Sequence, residues 1–114
     1  MSDEREVRAA IAELVSRVDN LDDDTRGKIP DRGISAVITD LDLAWSGRFV
    51  SGHLVDVGEV DPSAANSAAF RLSLSSDTLL DLVDDRLGFA TGWSRGRIRV
   101  DAGLRDLLAL RRFL

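Results

Sequence analysis

The stretch FRLSLSSDTLLDLVDDRLGFATGWSRGRIRV, residues 70–100, changes its hydrophobic period from two to helical and back to two. Phe70, Leu72 and Leu74 alternate with polar residues, the pattern of a half-buried strand. Leu79, Leu82, Val83 and Leu87 then recur at helical spacing. Ser75 or Ser76 caps that helix, Asp77 suits its positive end, and Gly88 stops it. Phe89 and Trp93 stand four apart, on one face of a short helical segment spaced by Gly88, Gly92 and Gly96. Ile98 and Val100, alternating with Arg97 and Arg99, read as a last strand. Strand, helix, short helix, strand is the frame on which the rest of the chain is placed.

Downstream, GLRDLLALRRFL (103–114) reads as a C-terminal helix with Leu104, Leu107, Leu108, Leu110 and Leu114 on a broad apolar face. Arg111 and Arg112 complement its negative end. Upstream, residues 3–21 read as an amphipathic helix. Val7, Ile11, Leu14 and Val18 form its stripe, with Ala10 and Val15 beside them, Ser2 as cap, and Glu13 and Arg17 as an i,i+4 pair. DNLDDDTRGKIPDRG (19–33) breaks that pattern and reads as a loop. ISAVITDLDLAWSGRF (34–49) alternates throughout and reads as a strand. Val37, Thr39, Leu41, Leu43 and Trp45 face one way, and Asp40 and Asp42 share the other, wet face. RFVSGHLVDVGEV (48–60) supplies one or two further strand pieces, and DPSAANSAA (61–69) a loop of small residues. Successive strands with helices grouped before and after them predict an α+β domain spanning 1–114: the N-terminal helix at 3–21, a strand meander at 34–75, and helix-helix-strand-helix at 76–114. The sheet is expected to be mostly antiparallel, with helices covering one face.

Composition narrows the chemistry. The 114 residues are 44% hydrophobic, enough for one domain with a real core. With no Cys and His53 as the one histidine, disulfides, thiolate metal sites and multi-His metal sites are excluded. No apolar run approaches the roughly 20 residues of a membrane span, and the polar N-terminus is unlike a signal peptide. A cytoplasmic protein with at most peripheral membrane contact is expected. The formal charge of −5 is uneven: seven Arg and two Asp in 86–114 face an acidic majority in 1–85. A nucleic-acid binder would be basic overall, so that class is set aside.

Candidate catalytic sets are thin. The run Asp22–Asp24 lacks the later Gly and Glu of an EF-hand loop and reads as a solvated turn. His53 with Asp56 or Asp40 is the available acid–base set, and no nucleophile motif accompanies it. Phe89 and Trp93 have two readings, as ordinary core or as the lining of a cavity.

The order and spacing of these elements resemble the sterol carrier protein type 2 domain family. The resemblance is carried by FRLSLSSDTLLDLVDDRLGFATGWSRGRIRV and GLRDLLALRRFL, and in the first half by PDRGISAVITDLDLAWSGRF, similar to bacterial members. It implies a five-stranded, mainly antiparallel sheet covered on one face by helices. Between the two lies a hydrophobic tunnel for a fatty acid, an acyl-CoA or a sterol-like lipid. It implies no catalytic residue, no metal and no cofactor. By analogy the tunnel lining falls on Leu79, Leu82, Val83, Phe89, Trp93, Ile98, Leu107 and Leu110, with Arg95, Arg97 and Arg99 as candidates for holding an anionic head group. VDAGL (100–104) departs from the family's turn before the last helix, and RRFL departs from a peroxisomal ending. A homodimer is a further possibility. The competing expectation is a protein-interaction or scaffold module with the same fold and a filled core.

Overall fold

The structure, a computed structural model, describes residues 3–110. Helix α1 (Glu4–Asp19) and the short α2 (Asp23–Gly27) precede strands β1 (Gly33–Ile38), β2 (Leu43–Val50) and β3 (His53–Val60). A 3-10 turn (Pro62–Ser67) leads to β4 (Phe70–Leu74), α3 (Ser76–Val83), α4 (Phe89–Ser94), β5 (Ile98–Asp101) and α5 (Leu104–Leu110). The five strands form one sheet in the order β3-β2-β1-β4-β5.

The sheet is α+β in kind, as expected, but mixed. β1 pairs antiparallel with β2, β2 with β3, and β4 with β5, whereas β1 and β4 run parallel. A parallel pair cannot be closed by a tight turn and needs a crossover. The segment after β3 provides it, passing over the sheet face opposite α1. There the buried Ser35 hydroxyl donates to the Ala65 carbonyl at 2.8 Å.

The alternating run 34–49 is two strands, not one. It breaks at 39–42, where Asp42 takes a left-handed φ of 54°. Side-chain alternation alone does not register a reversal, so the expected wet-face pair of Asp40 and Asp42 does not form. Asp40 instead accepts from the Ser76 backbone N–H (2.8 Å) and hydroxyl (2.6 Å), bracing the start of α3. Those hydrogen bonds, the hydroxyl's first, hold its carboxyl below the usual range.

Other boundaries move for local reasons. Asp3, not Ser2, caps α1, accepting from Glu6 N–H at 2.8 Å. The acidic loop contains α2, whose cap is Asp22. α3 ends at Val83 rather than running to Gly88, because Asp85 adopts a left-handed φ of 60°. Gly88 is the N-cap of α4, and Gly92 sits where α4 crosses β5. A Cβ on Gly92 would stand 2.7 Å from Ile98 Cδ1 and 3.1 Å from Leu87 Cδ2, so a larger residue there would push those side chains aside.

The core cluster is Val7, Ala10, Ile38, Trp45, Leu74, Leu79 and Ile98. It joins the N-terminal half of α1, the sheet centre, α3 and β5. The C-terminal half of α1 is different. Ile11, Leu14, Val15 and Val18 are only half-buried, although they continue the same apolar stripe.

Candidate functional site

That half-burial marks a hollow between α1 and the sheet. Its floor lies on the α1 face, where Ala36 stands opposite Trp45 and beside Leu72 in the register, and Ile34 opposite Gly47. Ala36 and Gly47 are small, so the floor drops beneath the helix. The first hollow has a volume of about 310 Å3 and is roofed by Leu14, Val15, Val18 and Leu21. The second, also about 310 Å3, runs toward Leu79, Leu82, Leu87, Phe89 and Ile98. Both are bordered by Ile11, Leu14, Arg17, Ala36 and Leu72, so they meet under the middle of α1. Each lies at the lower end of the range of about 300–1,000 Å3 usual for small-molecule pockets.

Among the described residues, Arg17 is the one cationic side chain bordering both hollows. Its Nη2 donates to the Val83 carbonyl at 2.6 Å and its Nη1 to the Leu82 carbonyl at 3.4 Å. These are the last carbonyls of α3; Leu82's also accepts from the Asp85 N–H at 3.3 Å, and Val83's is one that the helix itself leaves without a partner. Arg17 also meets Glu13 at 3.3 Å, the i,i+4 pair read from the sequence, and Asp85 at 3.4 Å. It therefore ties α1 to the end of α3 beside the residues that both hollows share. At the far end, Arg26 holds the corner after α1. It donates to the carbonyls of Asp19 (3.1 Å), Leu21 (3.1 Å) and Gly52 (2.9 Å) and faces His53 Nδ1 at 3.2 Å.

The residues singled out from sequence divide. Leu79, Leu82, Phe89 and Ile98 line the second hollow. Val83 and Trp93 are half-buried but line neither hollow. Phe89 and Trp93 do stack as a pair, ring centres 6.0 Å apart and planes tilted by 59°. Leu107 is half-buried on α5, and the side chain of Leu110 lies outside the described residues, as do Arg111, Arg112 and Leu114. Leu104 and Leu108 are exposed, so that part of the expected apolar face of α5 is open to solvent. Arg95 is exposed. Arg97 is bonded to Asp81 at 2.8 Å and Arg99 to Asp101 at 3.0 Å, and neither borders an apolar hollow.

Sequence reasoning missed the roof and floor of the first hollow: Val15, Val18, Leu21, Ala36, Gly47 and Leu54. The stripe on α1 was legible, but its spacing is the same whether the helix seals a core or spans a gap. The acid–base set does not assemble. His53 faces Arg26, Asp56 pairs with Arg48, and Asp40 holds Ser76. Among the described residues no group of three potential metal ligands gathers, and no helix is long and apolar enough to cross a membrane.

The fold recurs in solved structures. Sterol carrier protein 2 superposes with a TM-score of 0.65 at 15% identity, covering 94% of this chain and 84% of that one. The chain has the sterol carrier protein fold. Sterol carrier protein 2 of Aedes aegypti in complex with palmitate gives a TM-score of 0.60 at 17% identity, covering 99% of this chain and 96% of that one. The sec-alkylsulfatase Pisa1 from Pseudomonas sp. gives 0.52 at 25% identity, and this chain spans 13% of that enzyme's length. No family model and no curated protein sequence matches the chain.

Proposed function

We propose that the protein binds and carries a single-chain lipid, a fatty acid in the first instance, without transforming it. The observation that carries this reading is the pair of joined apolar hollows with Arg17 at their junction. An acyl chain laid along them leaves water at about 0.8 kcal/mol per buried CH2 group. The carboxylate would displace Glu13 and Asp85 from Arg17, two exposed partners whose pairs are weak in solvent. Palmitate bound to a protein of this fold and a sulfatase named for alkyl sulfates both concern an apolar chain bearing an anion. Acyl-CoA and sterol-like ligands are the neighbouring classes. The alternative of an interaction module rests on the exposed Leu104 and Leu108.

Native mass spectrometry with palmitate, and with its neutral methyl ester, tests the proposal. One palmitate per chain is expected. Arg17→Gln should weaken palmitate by about tenfold, the worth of a charge-assisted hydrogen bond, and the ester far less. An apo mass that palmitate does not shift refutes the carrier reading and leaves the interaction module. Equal weakening of both ligands refutes the head-group role of Arg17 alone.

A further inference from the structure

A separate, polar pocket lies at the end of β4 and the start of β5, beside the first turn of α3. It has a volume of about 520 Å3 and is bordered by Thr39, Ser73, Thr78, Arg97, Arg99 and Asp101, among others. The register explains why its chemistry is the reverse of the hollow's. Leu72 and Leu74 stand opposite Val100 and Ile98 on the α1 face, so Ser73 and its partner Arg99 point to the other face. Gly96, with a left-handed φ of 77°, turns the chain from α4 into Arg97.

The donors there are undersubscribed. Arg97 uses Nη2 alone, toward Thr78 Oγ1 (3.2 Å) and Asp81 (2.8 Å), leaving Nε and Nη1 without a bond among the described residues. Arg99 uses Nε toward Asp101 at 3.0 Å, leaving both terminal nitrogens. The Ser73 hydroxyl, half-buried between them in the strand pair, makes no hydrogen bond among the described residues. Asp81 and Asp101 hold the two guanidinium groups in place and balance them while leaving most of their N–H fork open. Two open forks beside a hydroxyl suit a tetrahedral oxyanion with several acceptor oxygens.

We propose that this pocket binds a phosphate group, through Arg97, Arg99 and Ser73. The group is carried either by a small soluble phosphomonoester or by a lipid head group at a membrane surface. The two sources share the chemistry, and the test separates them.

The labelled protein is titrated with inorganic phosphate and with glycerol phosphate at ionic strength held constant with chloride, following backbone amides. A second arm uses phosphatidylcholine vesicles with and without phosphatidic acid. Saturable shifts confined to Ser73, Gly96, Arg97 and Arg99 in the first arm indicate a soluble ligand. Sedimentation that requires phosphatidic acid in the second indicates a head group. Either result supports the site, provided that Arg99→Gln weakens it by about tenfold. Arg99 is largely exposed, so that variant keeps the fold; Arg97→Gln repeats the test at the less exposed position. Shifts spread over other arginines, binding unchanged in Arg99→Gln, or no response in either arm overturns the proposal.

Discussion

Replacing Ala36 with leucine tests whether the space under α1 is empty. Ala36 lies on the central strand, borders both hollows and faces the underside of Ile11 and Leu14. Leucine adds three carbons at the junction. If they enter vacant apolar space, each contributes about 0.8 kcal/mol, or about 2.4 kcal/mol together. Fixing the longer side chain costs about 0.5–1 kcal/mol, leaving a net gain of about 1.5–2 kcal/mol. For a domain of this size that raises Tm by roughly 6–8 °C. The same leucine blocks the path between the hollows, so palmitate binding should fall at least tenfold. Trp45 borders the first hollow and Trp93 borders neither, so Trp45 fluorescence in a Trp93→Phe background reports occupancy. Calorimetric melting of ligand-free protein supplies the stability. A loss of about 1–3 kcal/mol, the usual cost of overpacking, would mean the space is filled and would refute the reasoning. A gain in stability with palmitate affinity unchanged would show that the chain binds elsewhere.

Two further perturbations follow from the braces around the hollow. Asp40→Ala removes one acceptor from the fully buried Ser76 hydroxyl and should cost about 1–2 kcal/mol at neutral pH in urea melts. Because Asp40's folded pKa is depressed, its contribution is complete above its unfolded value of about 3.9 and fades as pH falls through the folded one. The gap between wild type and variant should therefore begin to narrow below about pH 4 and go on narrowing as pH falls further, and a gap that does not narrow in acid counts against the carboxylate. Gly52→Ala places a methyl at a φ of 79°, within 2.5 Å of the Arg26 carbonyl oxygen. It should lower stability by about 2 kcal/mol or more and speed hydrogen exchange at the α1–α2 corner, whereas a silent substitution would mean that Arg26 does not latch it.

Much of the scaffold is legible in the sequence because periodicity is a local property. The α1 stripe, β4 with Phe70, Leu72 and Leu74, the short aromatic helix and β5 follow from residue spacing. The reversal at 39–42 escaped because Thr39–Asp42 continue the apolar–polar alternation through the turn, although the turn shifts its phase: Ile38 pairs with Leu43 and Ala36 with Trp45, so Val37 faces away from Leu43 and Trp45 rather than with them. The end of α3 escaped because Asp85 in a left-handed conformation carries no strong sequence mark, and because the ligand for the helix's last carbonyls, Arg17, is distant in sequence. The candidate site shows the same division. Leu79, Leu82, Phe89 and Ile98 were marked as apolar from sequence, whereas Ala36 and Gly47 matter for the atoms they lack.

What the sequence by itself determined is the set of amphipathic elements, the absence of cysteine and of multi-histidine chemistry, and the resemblance that named the fold. What only the tertiary structure decided is where those elements fail to touch. Spacing fixes which side of α1 is apolar, but the distance between that side and the sheet depends on its supports: Val7 and Ala10 at one end, Arg17 and Arg26 at the other. The same holds for Arg99 of β5. Its alternation with Ile98 and Val100 is visible in the chain, but the register of β4 beside β1 and β5 decides that it opens onto the face away from the hollow.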